Sequence, residues 1–198
     1  MSSDWLPRTR RALSPNCDAR PADASIELVV IHNISLPPGR FGTGLVEALF
    51  LNRIDAELSA RIEATDKPSD LHDLRADLQG LEVSSHLFID RRGRATQFVP
   101  FSQRAWHAGV SAWRGRQRCN DFAVGIELEG TDNRPYTRAQ YRRLARTLDW
   151  LFARYPALAV DSIVGHSEIA PARKTDPGPA FDWGQVLQFA SRRQARDN

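Results

Sequence analysis

The stretch FAVGIELE, Phe122–Glu129, decides the fold. Phe122, Val124, Ile126 and Leu128 alternate with Ala123, Gly125, Glu127 and Glu129, the period-two pattern of a β-strand. On the second face small residues give way to carboxylates, which predicts a face that leaves the core and enters a site. A companion strand is written in IELVVI, Ile26–Ile31, nearly continuous in β-branched and apolar residues. Such a run predicts a strand covered on both faces, here ending at His32.

Outward from these two strands the pattern is mixed. Leu45, Val46, Leu49 and Phe50 recur at helical spacing and predict a helix over Gly44–Leu58, with a second short helix over Leu71–Leu78. Ser85–Asp90 and Ala95–Pro100 flank RRGR and read as a β-hairpin with Gly93 in its turn. Phe101–Asp121, with two tryptophans and several arginines, reads as a long loop forming a cleft wall. Thr137 and Gln140 make a capping box ahead of a helix whose stripe is Tyr141, Leu144, Leu148, Leu151, Phe152 and Tyr155. Val160–Val164 predicts a short strand delivering His166, and Asp182 caps a last helix with Trp183, Val186, Leu187 and Ala190 inward. This order predicts an α/β fold, a central mixed β-sheet flanked by α-helices. Residues 1–24 read as an extended arm and 25–198 as one domain.

Composition narrows the function classes. A chain of 198 residues, 41% hydrophobic and 26% charged, has room for one well-buried α/β domain. Its 27 bases against 24 acids give a net charge of +3, and no long basic block suggests nucleic acid as a partner. Charges and prolines fill the N-terminus where a signal peptide needs an apolar core, and no run approaches a membrane span. A cytoplasmic, monomeric protein without membrane contact is expected. Cys17 and Cys119 form no metal-type pair and read as free thiols, with one disulfide as the alternative.

GHSEIAPARKTDPGP, Gly165–Pro179, concentrates chemistry. Three prolines and two glycines exclude a helix or a central strand, so His166, Lys174 and Asp176 share a loop. Lysine is scarce, Lys67 and Lys174 being the two among 27 bases. Lys174 is therefore a candidate cation for a small developing charge. Two imidazoles and one carboxylate, His32, His166 and Asp176, compose a three-ligand set for zinc with a fourth position open. Glu127 would deprotonate a water there and Lys174 would stabilise an oxyanion. Residue types alone leave a metal site open, because no spacing rule links His32 to the later loop.

The segments VVIHNISLPPG, RAWHAGVSAWRGRQRCNDFAVGIELEGTD and GHSEIAPARKTDPGP closely resemble the anhydromuramyl-L-alanine amidases of bacterial cell-wall recycling. These belong to family 2 of the N-acetylmuramoyl-L-alanine amidases, related to phage T7 lysozyme and the peptidoglycan recognition proteins. The likeness runs from about Trp5 to Trp183. It implies a Zn2+ enzyme that cleaves the amide between the lactyl group of anhydro-N-acetylmuramic acid and L-alanine of a small muropeptide, with a link to β-lactamase induction. The family's zinc ligands fall on His32, His166 and Asp176, its catalytic acid on Glu127 and its catalytic lysine on Lys174. Asn33 and Arg118 are implicated in the substrate cleft, where they would meet carbonyl or carboxylate oxygens. Two departures stand out. The 51–83 segment is longer than in typical members, and Glu82 stands where the family usually has an arginine thought to bind the anionic stem peptide.

Other residues admit plainer readings. His107 is a substrate contact or a structural hydrogen-bonding residue, His86 a cleft-lining or core residue, and His72 a surface residue. Glu129 reads as a strand-end hydrogen-bonding or ion-pairing group, Cys17 and Cys119 as inert. Trp106 and Trp113 either stack on sugar faces or pack their loop down. Beside the enzyme stands a second class, a binding module of the same fold that does not cleave. A structural zinc protein is a third, disfavoured because no cysteine closes the ligand set.

Overall fold

The computed structural model describes residues 4–64 and 69–188. Its strands are β1 (Arg10–Arg11), β2 (Cys17–Ala19), β3 (Leu28–Ile34), β4 (Leu87–Ile89), β5 (Ala95–Gln97), β6 (Gln103–Ala105), β7 (Ala112–Trp113), β8 (Arg116–Gln117), β9 (Ala123–Glu129) and β10 (Ile163–Gly165). The helices are α1 (Leu45–Phe50), α2 (Ile54–Glu63), α3 (Ser69–Leu78), α4 (Arg138–Arg154), α5 (His166–Ile169) and α6, over 183–188. Among the described residues the central sheet has the order β1-β5-β4-β9-β3-β10. Every neighbouring pair in it is parallel except the β4–β5 hairpin, so the sheet is mixed and the expected fold class holds.

Both faces of β3 are covered, as its continuous apolar run requires. Val29 and Ile31 join Val124, Ile126 and Leu128 under the Tyr141, Leu144, Leu148 and Leu151 stripe of α4. Leu28 and Val30 point the other way, onto Ala108, Phe122, Val164 and Ile169. The capping box of α4 is present, with Gln140 N donating to Thr137 Oγ1 and Thr137 N to Gln140 Oε1. A third cluster packs α1 and α2 on Phe98 and Val99.

Several expectations need correction. The second face of β9 does bring Glu127 to a cleft as expected, although the strand is buried throughout. Glu129 is a strand-end hydrogen-bonding group, accepting from the backbone N–H of Gly42 and Arg91. The single helix expected over Gly44–Leu58 is two, because Asn52 takes a left-handed conformation (φ 55°) and exchanges amide hydrogen bonds with Asn16. His32 and Asn33 lie inside β3, which continues to Ile34. The supposed long loop 101–121 contains β6 and the β7–β8 hairpin. The strand expected over Val160–Val164 starts at Ile163, after a 3₁₀ turn at Val160–Ser162. The Gly165–Pro179 segment opens with the one-turn α5 before Pro171 ends it. In α6 Asp182 caps Gln185 N and Val186 is buried, but Leu187 is exposed; Ala190 and Lys67 lie outside the described residues.

The N-terminal arm is woven into the sheet. β1 extends the edge beside β5, and β2 pairs antiparallel with β6. Arg20 donates to the carbonyls of Phe101, Asn120, Asp121 and Ala123, tying the arm to the segment that enters β9. Burial pulls its guanidinium down to about 10.

Candidate metal centre

Parallel pairing brings the candidate residues together. His32 on β3 is the register partner of Glu127 on β9, and Gly165 at the end of β10 is the partner of Ile31. His166 therefore follows directly beside His32, at the carboxyl ends of three adjacent strands, where open α/β sheets place their ligands. The loop after α5 returns Asp176 to the same spot, held by Ser167 N donating to Asp176 O.

Three ligand-type atoms converge. His32 Nδ1 lies 3.0 Å from His166 Nδ1 and 3.1 Å from Asp176 Oδ2, and His166 Nδ1 lies 3.2 Å from the same oxygen. Nitrogen and oxygen ligands of a tetrahedral zinc, at about 2.0–2.1 Å from the ion, stand about 3.3 Å from one another. His166 Nε2 lies 3.1 Å from the Ala108 carbonyl, which can only accept. In its neutral form the ring therefore carries its proton on Nε2 and presents a bare Nδ1. Burial pulls His32 down to about 4. Burial opposes ionisation of Asp176, but the adjoining His166 and His32 rings outweigh it and hold the carboxylate well below its usual range. Two imidazoles and one carboxylate facing one point form a donor set that fits Zn2+.

Glu127 adds a carboxylate of a different kind. It is 9% exposed, and its Oε2 is enclosed without a hydrogen-bond partner. Burial pushes its pKa well above the usual carboxylate range and Asp176 pushes further, while Lys174 acts the other way. Lys174 is exposed on the cleft rim, its backbone N–H bound to Ala170 O, and no ion pair joins it to Asp176 among the described residues.

A cleft of about 500 Å³ opens over these groups, lined among others by Asn33, Trp106, His107, Asn120, Arg173 and Leu81. Glu82 also lines it, and a neighbouring cavity against α2 and α3 shares Leu78, Leu81 and Glu82, so the end of α3 and the residues after it border the cleft. Asn33 lines the cleft while its Nδ2 donates to Asp132 Oδ1 and to the Pro177 carbonyl. Arg118 is not brought to the lining; its side chain is 71% exposed and pairs with Asp121. His107 lines the cleft and also meets His32 through its Nδ1. His86 is fully buried and accepts from Gly125 N, a core role. Trp113 packs near Phe122, whereas Trp106 lines the cleft. His72 is exposed, and both cysteines are free.

Sequence reading missed Arg20, Asn120 and Gly125. Asn120 Oδ1 accepts from the N–H groups of His107 and Ala108 and so fixes the WHAG turn. A glycine inside a strand marks close backbone approach, and this was the available signal for Gly125.

The chain belongs to the N-acetylmuramoyl-L-alanine amidase family, whose sequence pattern matches residues 22–179. Within that family the likeness is to AmpD. The chain is 50% identical over 185 residues to the 1,6-anhydro-N-acetylmuramyl-L-alanine amidase AmpD of Enterobacter cloacae, covering 93% of this chain and 91% of that one. A crystal structure of a selenomethionine AmpD derivative superposes with a TM-score of 0.84 at 48% identity, covering 96% and 98% of the two chains. The Escherichia coli amidase AmiD, solved with anhydro-N-acetylmuramic acid-L-Ala-D-γ-Glu-L-Lys, matches at TM-score 0.57 and 31% identity, over 86% of this chain and 60% of that one.

Proposed function

We propose that this protein hydrolyses the amide between 1,6-anhydro-N-acetylmuramic acid and the L-alanine of muropeptide stem peptides, as a zinc enzyme of cell-wall recycling. The observation that carries the reading is the convergence of His32, His166 and Asp176 beside Glu127, whose Oε2 is enclosed with no hydrogen-bond partner among the described residues. The names of the AmpD relatives and the ligand in the AmiD structure support the substrate class.

His32, His166 and Asp176 would hold the ion. Bound zinc supplies Lewis acidity toward a carbonyl and lowers the pKa of a water to about 7. Glu127, with its raised proton affinity, takes a proton from the attacking water and returns it to the leaving amide nitrogen. Lys174 offers a mobile ammonium at the cleft rim to the oxyanion of the tetrahedral intermediate. Asn33 and Trp106 line the surface against which the substrate is oriented. Residues 25–198 act as one amidase unit in this reading, as a monomer in the cytoplasm.

A binding module of the same fold would have no use for a buried, unpartnered carboxylate, which costs stability without serving recognition. A closed structural zinc site would need a fourth protein ligand, and neither Cys17 nor Cys119 joins the cluster. The deciding experiment incubates the purified protein with anhydromuropeptide before and after chelation. Release of stem peptide that stops on chelation and returns with zinc supports the proposal; undiminished release by metal-free protein overturns it.

A further inference from the structure

The two histidines of the candidate metal centre are backed differently. His166 Nε2 faces a carbonyl, which fixes its tautomer, but His32 Nε2 faces another imidazole: His107 Nδ1, 2.9 Å away in an edge-on arrangement. That contact has two forms. If His107 accepts, His32 carries its proton on Nε2 and presents a bare Nδ1 to His166 and Asp176. If His107 donates, the proton of neutral His32 moves to Nδ1, between the other two ligand atoms, and the lone pair needed by a cation is lost.

The surroundings hold the His107 ring in place. Its backbone N–H is bound by Asn120 Oδ1. The ring lies across β9 at Gly125, where a Cβ would stand 2.5 Å from His107 Cγ. Any residue larger than glycine there would displace the ring from His32. Its second nitrogen, Nε2, is enclosed with no hydrogen-bond partner, so the ring's one polar contact within the protein is the one to His32.

We propose that His107 is a positioning residue, which accepts the Nε2–H of His32 and thereby sets the tautomer that presents Nδ1 to the metal, with Gly125 as the gap that admits its ring. Outer hydrogen-bond partners of metal-bound histidines are typically worth 10–100-fold in metal affinity. The inference rests on the zinc reading above and gives His107 a role beside the expected substrate contact, since the residue also lines the cleft.

The test measures zinc affinity of the full chain by competition with a chromophoric chelator, for the wild type, His107→Gln, His107→Leu, Gly125→Ala and, as a control, His32→Ala. Gln keeps an acceptor oxygen and Leu does not. We expect a 10–100-fold loss in His107→Leu and Gly125→Ala, with most of it recovered in His107→Gln. Equal affinities for Gln and Leu, whether both match the wild type or both fall together, overturn the proposal. Failure of the wild type itself to bind one zinc removes the metal reading instead. Nitrogen-15 spectra of the histidines in zinc-loaded wild type give a result independent of variant folding. Protons on Nε2 of both His32 and His107 support the assignment, and a proton on His107 Nδ1 overturns it.

Discussion

His32 and Glu127 are register partners on neighbouring parallel strands, so an imidazole and a carboxylate stand side by side on one face of the sheet. The backbone ladder, not the side chains, enforces this pairing, and either side chain is replaceable without disturbing the frame. Glu127→Ala is therefore expected to keep its zinc while turnover falls by about 10²–10⁴, the usual worth of a general acid–base. Metal analysis beside the muropeptide assay checks this; loss of zinc would reassign Glu127 as a ligand.

Lys174 stands at the rim with no ion pair to Asp176, so its removal should leave the metal set intact. Lys174→Ala is expected to lower kcat by about 10²–10³ with unchanged zinc affinity. Lys174→Arg should not restore the rate, because a planar fork does not replace a compact ammonium. Steady-state kinetics with metal titration separates the two effects.

Asp176 is the one carboxylate among the three residues of the proposed zinc set. Asp176→Ala should weaken zinc binding and abolish the thermal stabilisation that zinc confers on the wild type. That stabilisation is about 4 kcal/mol at a thousandfold excess over Kd. Melting curves with and without zinc test it, and a variant stabilised as strongly as the wild type would remove Asp176 from the ligand set.

Buried His86 gives the fold an acid limb. Burial, then the Arg20 charge, lowers its pKa well below 6.5, against a hydrogen bond to Gln103 O that favours the charged form. The unfolded chain binds a proton near pH 6.5 that the native state refuses, so stability is full above that pH and declines as pH falls below it. The decline is about 1.4 kcal/mol per pH unit for one such proton. His86→Gln should flatten the limb; urea unfolding at pH 7 and pH 5 measures it, and an unchanged slope would refute the assignment.

Thr137 caps α4 and also donates to the Arg91 carbonyl, joining the helix to the β4–β5 turn. Thr137→Ala is expected to cost about 1–2 kcal/mol, the upper range for a lost N-cap. Thr137→Ser should retain most of that stability in the same denaturant titration.

Much of the fold was legible in local pattern. The alternation of Ala123–Glu129, the apolar run before His32 and the capping box at Thr137 each report a short-range rule, and each element formed, although Phe122 precedes the strand and packs in the cluster opposite Val124. Element ends were less legible: Asn52 breaks a helix through its bonds to Asn16, a partner distant in sequence. The residue types of a zinc centre were also present in the chain, and the matching motifs carried the family resemblance. Only tertiary structure joined them, since parallel strands set His32, Glu127 and His166 in adjacent positions through crossovers that no spacing encodes. It also set His107, on the cleft wall, against Nε2 of His32, a contact that depends on Gly125 lacking a side chain. Sequence carries the chemistry of single residues; which lone pairs meet is decided by strand register and by the space a neighbour leaves empty.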